Sequence, residues 1–352
     1  MARAFLKRSL RDFEPYVPGD QPPDGDGWVK LNTNEAPWPP SPRVLEAVRA
    51  AVDDSLRLYP SPTWGTARQA IARHHALGAD QVALGNGGDE LIATAFRAFA
   101  SPGDRVAYLH PTYSLLEPLG RMHECVLAPH AMTADWEPPD GFAADPAPLK
   151  FLVNPNSPTG TWLDRDAVRE VVVRSAGVVV VDEAYVDFAP ESRFDLVEEG
   201  LENVLLLRTF SKSYALAGMR IGYAVGGPDL IAALNLVKDS YNLDRLAIVA
   251  ATAAIEDHEY HHRLVDFVTG ERAWLGAQLR RRGFEVAPSA ANFLFARTPA
   301  GGDAGAIHAG LRDRRVLVRH YEREPIAGWL RVTVGTREQH SRLLDALDEV
   351  MA

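Results

Sequence analysis

The sequence predicts an α/β fold in which a mostly parallel sheet is flanked by helices on both faces, followed by a smaller α+β region. Three observations carry this expectation. From about 44 to 225, short apolar runs alternate with helical patterns, as strands joined by helical crossovers do. Within that stretch, Val178-Val179-Val180-Val181 is continuously apolar, as a central strand buried on both faces requires. After about 245 the texture changes to one long helical stretch and then strands with few helices between them.

The N-terminal residues Met1–Arg8 are basic, with no apolar run of secretory length behind them. Residues 11–42, rich in Pro and Gly, read as an extended arm laid over another surface. Strands are then expected at Gln81–Gly85, Arg105–Leu109, Glu124–Ala128, Phe151–Asn154, Val178–Asp182, Val204–Arg208 and Ile221–Val225. Helical patterns fall between them, for example Glu90–Ala100 and Arg165–Ser175. The second region opens with the helical stretch Ala247–Arg282. It continues with strands at Phe284–Ala287, Asn292–Ala296, Val316–Arg319 and Leu330–Val334, and closes on a helix. The division expected is a large domain over 31–245, with 1–30 and 246–352 forming the arm and a small domain. No internal repeat is visible, and the Gly/Ala-rich Thr298–Gly305 stretch reads as a loop.

The 352 residues carry a formal net charge of −10, and no block of Lys or Arg rises above that acidic background. A nucleic-acid or membrane-surface partner is therefore not expected. The triplet Arg280-Arg281-Arg282 before Gly283 reads as a solvated helix C-terminus favoured by the dipole. Cys125 is the single cysteine, so no disulfide can form within the chain, which fits a reducing compartment such as the cytoplasm. No run of about 18 apolar residues occurs, so no membrane span is expected. No metal is expected either.

In open α/β sheets ligands bind beyond the carboxyl ends of the strands, and the unusual polar residues lie there. Gly85-Asn86-Gly87-Gly88-Asp89 follows one strand and would present free N–H groups at a helix N-terminus, a phosphate seat or simply a capped turn. Asp182 ends the most buried strand, where a carboxylate is costly without a cation facing it; by itself it also reads as a helix cap or loop ion pair. Lys212, alone, reads as a surface lysine. Arg220, flanked by Gly218 and Gly222 at the start of an apolar strand, is poorly explained by solvation. Together these residues describe a pocket with one phosphate seat, one amine and one carboxylate.

With these residues in place, the chain closely resembles fold-type I pyridoxal-phosphate (PLP) aminotransferases, and within them the histidinol-phosphate aminotransferase family. The matching segments run in the family's order over nearly the whole chain: Leu31–Pro37, Tyr59-Pro60, Gly85–Glu90, Pro111-Thr112-Tyr113, Pro158-Thr159-Gly160, Asp182–Tyr185, Arg208–Arg220 and Leu330–Arg337. The resemblance implies that Lys212 carries PLP as a Schiff base and then shuttles protons. Asp182 would pair with the pyridine nitrogen, Tyr185 would donate to the ring's phenolic oxygen, and Tyr113 would stack on the ring. Gly88, Asp89, Thr209, Ser211 and Arg220 would hold the cofactor phosphate. Tyr59 would reach that phosphate from a neighbouring subunit, which implies a homodimer. In one departure, Ser157 stands where the family has a second Asn. It is expected to contact the cofactor less completely, with water or Asn156 assisting.

The substrate end follows from the same resemblance. Arg331 matches the arginine used on the substrate's acidic end, although an exposed ladder position would also suit it. Arg319 matches a second arginine, and Tyr16 an arm tyrosine that closes over the same group. Two guanidinium groups suit a phosphate dianion. The implied reaction is amino transfer from L-histidinol phosphate to 2-oxoglutarate, yielding imidazole-acetol phosphate and L-glutamate, a step of histidine biosynthesis. Alternatives are an aromatic amino-acid aminotransferase or a threonine-phosphate decarboxylase. A silent PLP-fold module would predict loss of Lys212 or Asp182, and neither is lost. Asn34, Glu35, Tyr241 and Asn242 are candidates for contacting the substrate, in particular its imidazole.

Overall fold

In chain order the strands are β1 (Val29–Lys30), β2 (Val82–Asn86), β3 (Arg105–His110), β4 (Val126–Ala131), β5 (Leu149–Val153), β6 (Val178–Asp182) and β7 (Val204–Thr209). They continue as β8 (Ile221–Gly226), β9 (Glu285–Val286), β10 (Phe293–Arg297), β11 (Val316–Leu317), β12 (Arg319–His320) and β13 (Trp329–Thr333). These coordinates are a computed structural model, which describes residues 5–7, 10, 17–23 and 27–352.

Seven strands form one sheet in the order β2-β8-β7-β6-β5-β3-β4. Every neighbouring pair is parallel except those made by β8, which runs antiparallel to β2 and β7. The central strands β5, β7 and β8 are buried along their whole length, and β6 at all but its first residue, as their largely apolar sequences require. Leu84, Phe96, Phe151, Val180, Leu206 and Tyr223 belong to the core that this sheet shares with its helices.

The last strand at the far edge, β4, begins two residues later than expected. Glu124 adopts a positive φ of 59° and its carbonyl accepts from Gly103 N, so the chain is still turning there. An edge strand buries one face only, and its apolar signal is correspondingly weak.

A second, antiparallel sheet has the order β12-β13-β10-β9, and its core includes Leu275, Leu294, Val332, Leu343 and Leu347. The strand expected over Val316–Arg319 divides here. Val316–Leu317 pairs in parallel with β1, and Arg319–His320 pairs with β13. β1 was not foreseen, because two residues within a Pro/Gly-rich arm give no periodicity.

The helical stretch expected over Ala247–Arg282 also divides, into Arg245–Ile255 and His258–Arg281. Asp257 ends the first and caps the second, accepting from Tyr260 N at 3.4 Å. Helix Arg245–Ile255 packs its Ala247, Ala251 and Ile255 into the first core, whereas Leu275 and Leu279 of the second helix join the smaller one. Between the two cores lies a third cluster in which Tyr185 and Phe188 meet Leu264, Val268, Phe293 and Val334. Tyr185 therefore stands where both sheets meet.

Candidate active site

A cavity of about 400 Å³ opens beyond the carboxyl ends of β2, β5, β6 and β7 and is lined by the rim loops singled out in the sequence. Its floor starts with the helix Gly87–Phe99, which begins three residues earlier than the apolar pattern indicated. Gly87, Gly88 and Asp89 thus form the first turn, whose N–H groups have no partner within the helix. Gly87 has φ +78°, and a Cβ there would meet Arg220 Nη2 at 2.6 Å. A Cβ on Gly222 would meet Gly87 C and Gly88 N at 2.8 Å, so two glycines are needed for β8 to approach this turn. A Cβ on Gly88, by contrast, would meet nothing within 4 Å. Arg220, itself left-handed at φ 51°, extends Nη2 to Asp89 Oδ2 at 3.1 Å, and Tyr113 donates to Asp89 Oδ1 at 2.8 Å. The hydroxyls of Thr209 and Ser211 stand 3.0 Å apart beside them.

Three ionisable groups face the same space. Asp182 ends β6, and its carboxylate accepts from Ala184 N at 3.0 Å. Burial pushes its pKa up to about 6; Asp89 and Glu183 add to the rise, and Lys212 opposes it. Lys212 follows β7, with Nζ 3.3 Å from the Thr33 carbonyl and 5.6 Å from the centre of the Tyr185 ring. Burial and then Arg331 push its pKa down to about 8, against Glu35 and Asp89. Burial raises the Tyr185 phenol, while Arg331 and the amide of Asn34 oppose that rise. Behind them Arg208, paired with Asp187 and Glu183, ties the loops after β6 and β7 together; Ser213, next to Lys212, donates to Asp187. Asp187 and Arg208 had been given no role from sequence.

At the other end of the cavity Arg331 donates from Nη1 to Ser157 Oγ and from Nη2 to the Asn32 carbonyl, both at 3.0 Å. Arg319 lies directly opposite Arg331 in the β12–β13 register. Its guanidinium holds the carbonyls of Val17 and Pro18 at 3.2 and 3.4 Å, which draws the arm over the cavity mouth. The Tyr321 ring lies 5.7 Å from the Arg319 guanidinium and 6.0 Å from that of Arg331. Tyr321 was missed in the sequence, although its spacing of two from Arg319 is the spacing that puts side chains on one face of a strand.

Some expected contacts take other forms. The Asn156 amide donates to the Pro111 carbonyl at 3.0 Å and to Thr159 Oγ1 at 2.9 Å, and its oxygen accepts from Thr112 at 2.8 Å. It is therefore engaged in holding the loop and is not available to assist Ser157. The Asn34 amide is bonded to Tyr185 and Thr333, within the protein. Asn242 is bonded to Trp64, Leu84 and Glu90. Tyr241 stacks on Tyr59 at 4.6 Å, and neither lines the cavity. Glu35 does line it and pairs with Lys30 at 2.6 Å. Tyr16 lies outside the described residues. Among the described residues no helix is long and apolar enough to cross a membrane.

Comparison with known proteins gives the family. Residues 26–347 match the family model for class I and II aminotransferases. A curated protein named histidinol-phosphate aminotransferase, from Geotalea uraniireducens, is 41% identical over 345 residues, spanning 98% of this chain and 99% of its own. One named histidinol-phosphate aminotransferase 1, from Pseudomonas fluorescens, is 44% identical over 357 residues, spanning 98% and 99%. The crystal structure of histidinol-phosphate aminotransferase from Sinorhizobium meliloti in complex with pyridoxal-5'-phosphate superposes with a TM-score of 0.86 at 29% identity, covering 92% of this chain and 90% of that one. On this coverage, the chain belongs to the class I and II aminotransferase family, among its histidinol-phosphate aminotransferases.

Proposed function

We propose that this chain is a PLP-dependent histidinol-phosphate:2-oxoglutarate aminotransferase. The observation that carries the substrate is the pairing of Arg319 with Arg331, directly opposite each other on neighbouring strands. Like charges so placed repel, and a phosphate dianion between them turns that repulsion into two charge-assisted bonds. The carboxylate of 2-oxoglutarate or glutamate would use the same seat in the second half of the reaction. An aromatic amino acid would leave the seat without a dianion.

The residues present fit PLP. Asp182 is a buried carboxylate raised to about 6 for want of a cation, which a pyridinium would supply. The open face at Gly88, the hydroxyls of Thr209 and Ser211 and the Arg220 guanidinium suit a phosphate. When bound, PLP supplies an electron-withdrawing ring that stabilises negative charge at the substrate carbon. Lys212, its pKa brought down to about 8 by burial, would take and return a proton at that carbon. Asp182 would keep a proton on the ring nitrogen, Tyr185 would donate to the phenolic oxygen, and Tyr113 would cover the ring. Ser157 supplies one hydroxyl, already bonded to Arg331.

The same reading includes a homodimer in which Tyr59, 78% exposed in the single chain, completes the partner's phosphate seat. It also includes a cytoplasmic location, supported by the lone Cys125, and a two-part organisation with a large domain over 31–245 and a small one from 1–30 and 246–352. Single-turnover spectroscopy tests the substrate. Histidinol phosphate is expected to convert the cofactor to its amino form, and 2-oxoglutarate to reverse the conversion. Rapid conversion by phenylalanine or tyrosine with none by histidinol phosphate would reverse the assignment. Carbon dioxide release from threonine phosphate would favour the decarboxylase.

A further inference from the structure

Asn34, beside Tyr185, combines full burial with a left-handed backbone. It is 1% exposed and sits at φ 55°, a conformation that Asn tolerates better than most residues. All its polar groups are engaged. Its backbone N–H donates to Thr333 Oγ1 at 2.9 Å, and its carbonyl accepts from Asn292 Nδ2 at 3.0 Å. Its side-chain oxygen lies 3.1 Å from Thr333 Oγ1, and its side-chain nitrogen 2.9 Å from the Tyr185 hydroxyl.

These contacts favour one direction for the protons along the chain. Thr333 Oγ1 accepts from the Asn34 backbone, and among the described residues Asn34 Oδ1 is the acceptor for its own hydrogen, so this amide orientation satisfies both groups. That sets the amide orientation and leaves Nδ2, a pure donor, facing Tyr185. The Tyr185 oxygen must then accept from Asn34, and its own hydrogen is left to point elsewhere. The charged, titratable and hydrogen-bonding groups facing Tyr185 are Lys212, Asp182, Arg331, Tyr321 and the Ser157 hydroxyl, which accepts from Arg331 Nη1 and is itself hydrogen-bonded to Tyr185. Lys212 and Arg331 are cationic donors, which need no proton from a phenol.

We propose that Asn34 is a positioning residue: the Thr333–Asn34 pair, carried on the second sheet, aims the Tyr185 proton into the cavity at the cofactor's phenolic oxygen. This rests on the PLP reading above and gives Asn34 a role other than substrate contact. A hydrogen bond accepted by the phenol also strengthens the one it donates, because bonds in a chain polarise one another.

The test follows the pH-dependent absorption band of the Lys212-linked cofactor, a readout independent of turnover. A donor at the phenolic oxygen stabilises its anionic form, so weakening that donor raises the titration midpoint. Asn34→Asp, which turns the donor facing Tyr185 into an acceptor, is expected to raise the midpoint by roughly one pH unit. Asn34→Ala and Thr333→Val should each raise it by less. On a Tyr185→Phe background, neither Asn34→Ala nor Thr333→Val should shift it further. Thr333→Val keeps shape and volume and stands in if the Asn34 variants fold poorly. An unchanged midpoint in Thr333→Val and Asn34→Ala, or a shift that adds fully to that of Tyr185→Phe, would overturn the proposal. If the unaltered protein forms no lysine-linked band with PLP, the functional reading itself fails, and this inference with it.

Discussion

Lys212 and Asp182 are displaced in opposite directions by one cause, burial at the end of a sheet, and each displacement can be measured. Only the neutral amine of Lys212 adds to an aldehyde, and burial brings its pKa to about 8. The rate of PLP incorporation into the cofactor-free protein should therefore rise with pH through a midpoint near 8, followed by absorbance; a midpoint above 10 would contradict the burial argument. Lys212→Ala should abolish turnover while leaving the fold intact. For Asp182 the folded pKa of about 6 lies above the ordinary value of 3.8. Between those two pH values the folded state holds the proton more tightly than the unfolded state, so the cofactor-free protein loses stability as pH rises from about 4 to 6. Asp182→Asn should then raise the melting temperature of that form at pH 7, by the equivalent of about 1–3 kcal/mol. The same change should cost most of the activity, because Asn cannot hold the ring proton. Calorimetry with and without PLP separates the two effects.

Pairs of elements, more than single residues, build the two anion seats. At the cofactor end, β8 approaches the start of helix Gly87–Phe99 so closely that a Gly222 Cβ would lie 2.8 Å from backbone atoms of Gly87 and Gly88. Gly222→Ala has nowhere to relax against backbone, and overpacking of this kind costs about 1–3 kcal/mol. It should weaken PLP binding about tenfold or more, measured by fluorescence titration. At the substrate end, β12 and β13 hold Arg319 opposite Arg331. Arg319→Met removes a like-charge pair and should leave the ligand-free protein as stable or slightly more so. It should also raise KM for histidinol phosphate roughly 10- to 100-fold, since a charge-assisted bond is worth about 1.5–3 kcal/mol. A fall in stability with KM unchanged would assign Arg319 to holding Val17 and Pro18 instead.

For the whole molecule, the exposed segment bearing Val52, Leu56, Leu58 and Tyr59 is the natural place to look for a second copy of the chain. Mixing Lys212→Ala with Tyr59→Ala subunits tests it: a hybrid dimer contains one intact site and should regain activity that neither variant has alone. Restoration to no more than the sum of the parents would exclude a shared site. The sequence by itself determined the mostly parallel sheet and the order of its rim loops, because apolar runs and strand-end motifs are local properties of the chain; the roles proposed for Lys212, Asp182, Tyr185 and Arg220 come from the family resemblance those motifs carry. Only the tertiary structure decided what depends on residues far apart. It paired Val29–Lys30 with Val316–Leu317, set Arg319 against Arg331, and placed Tyr321 between them. It also engaged Asn156 in its own loop, and Asn34 with Thr333 and Tyr185. Register and side-chain direction are fixed by partners hundreds of residues away, and no local pattern carries them.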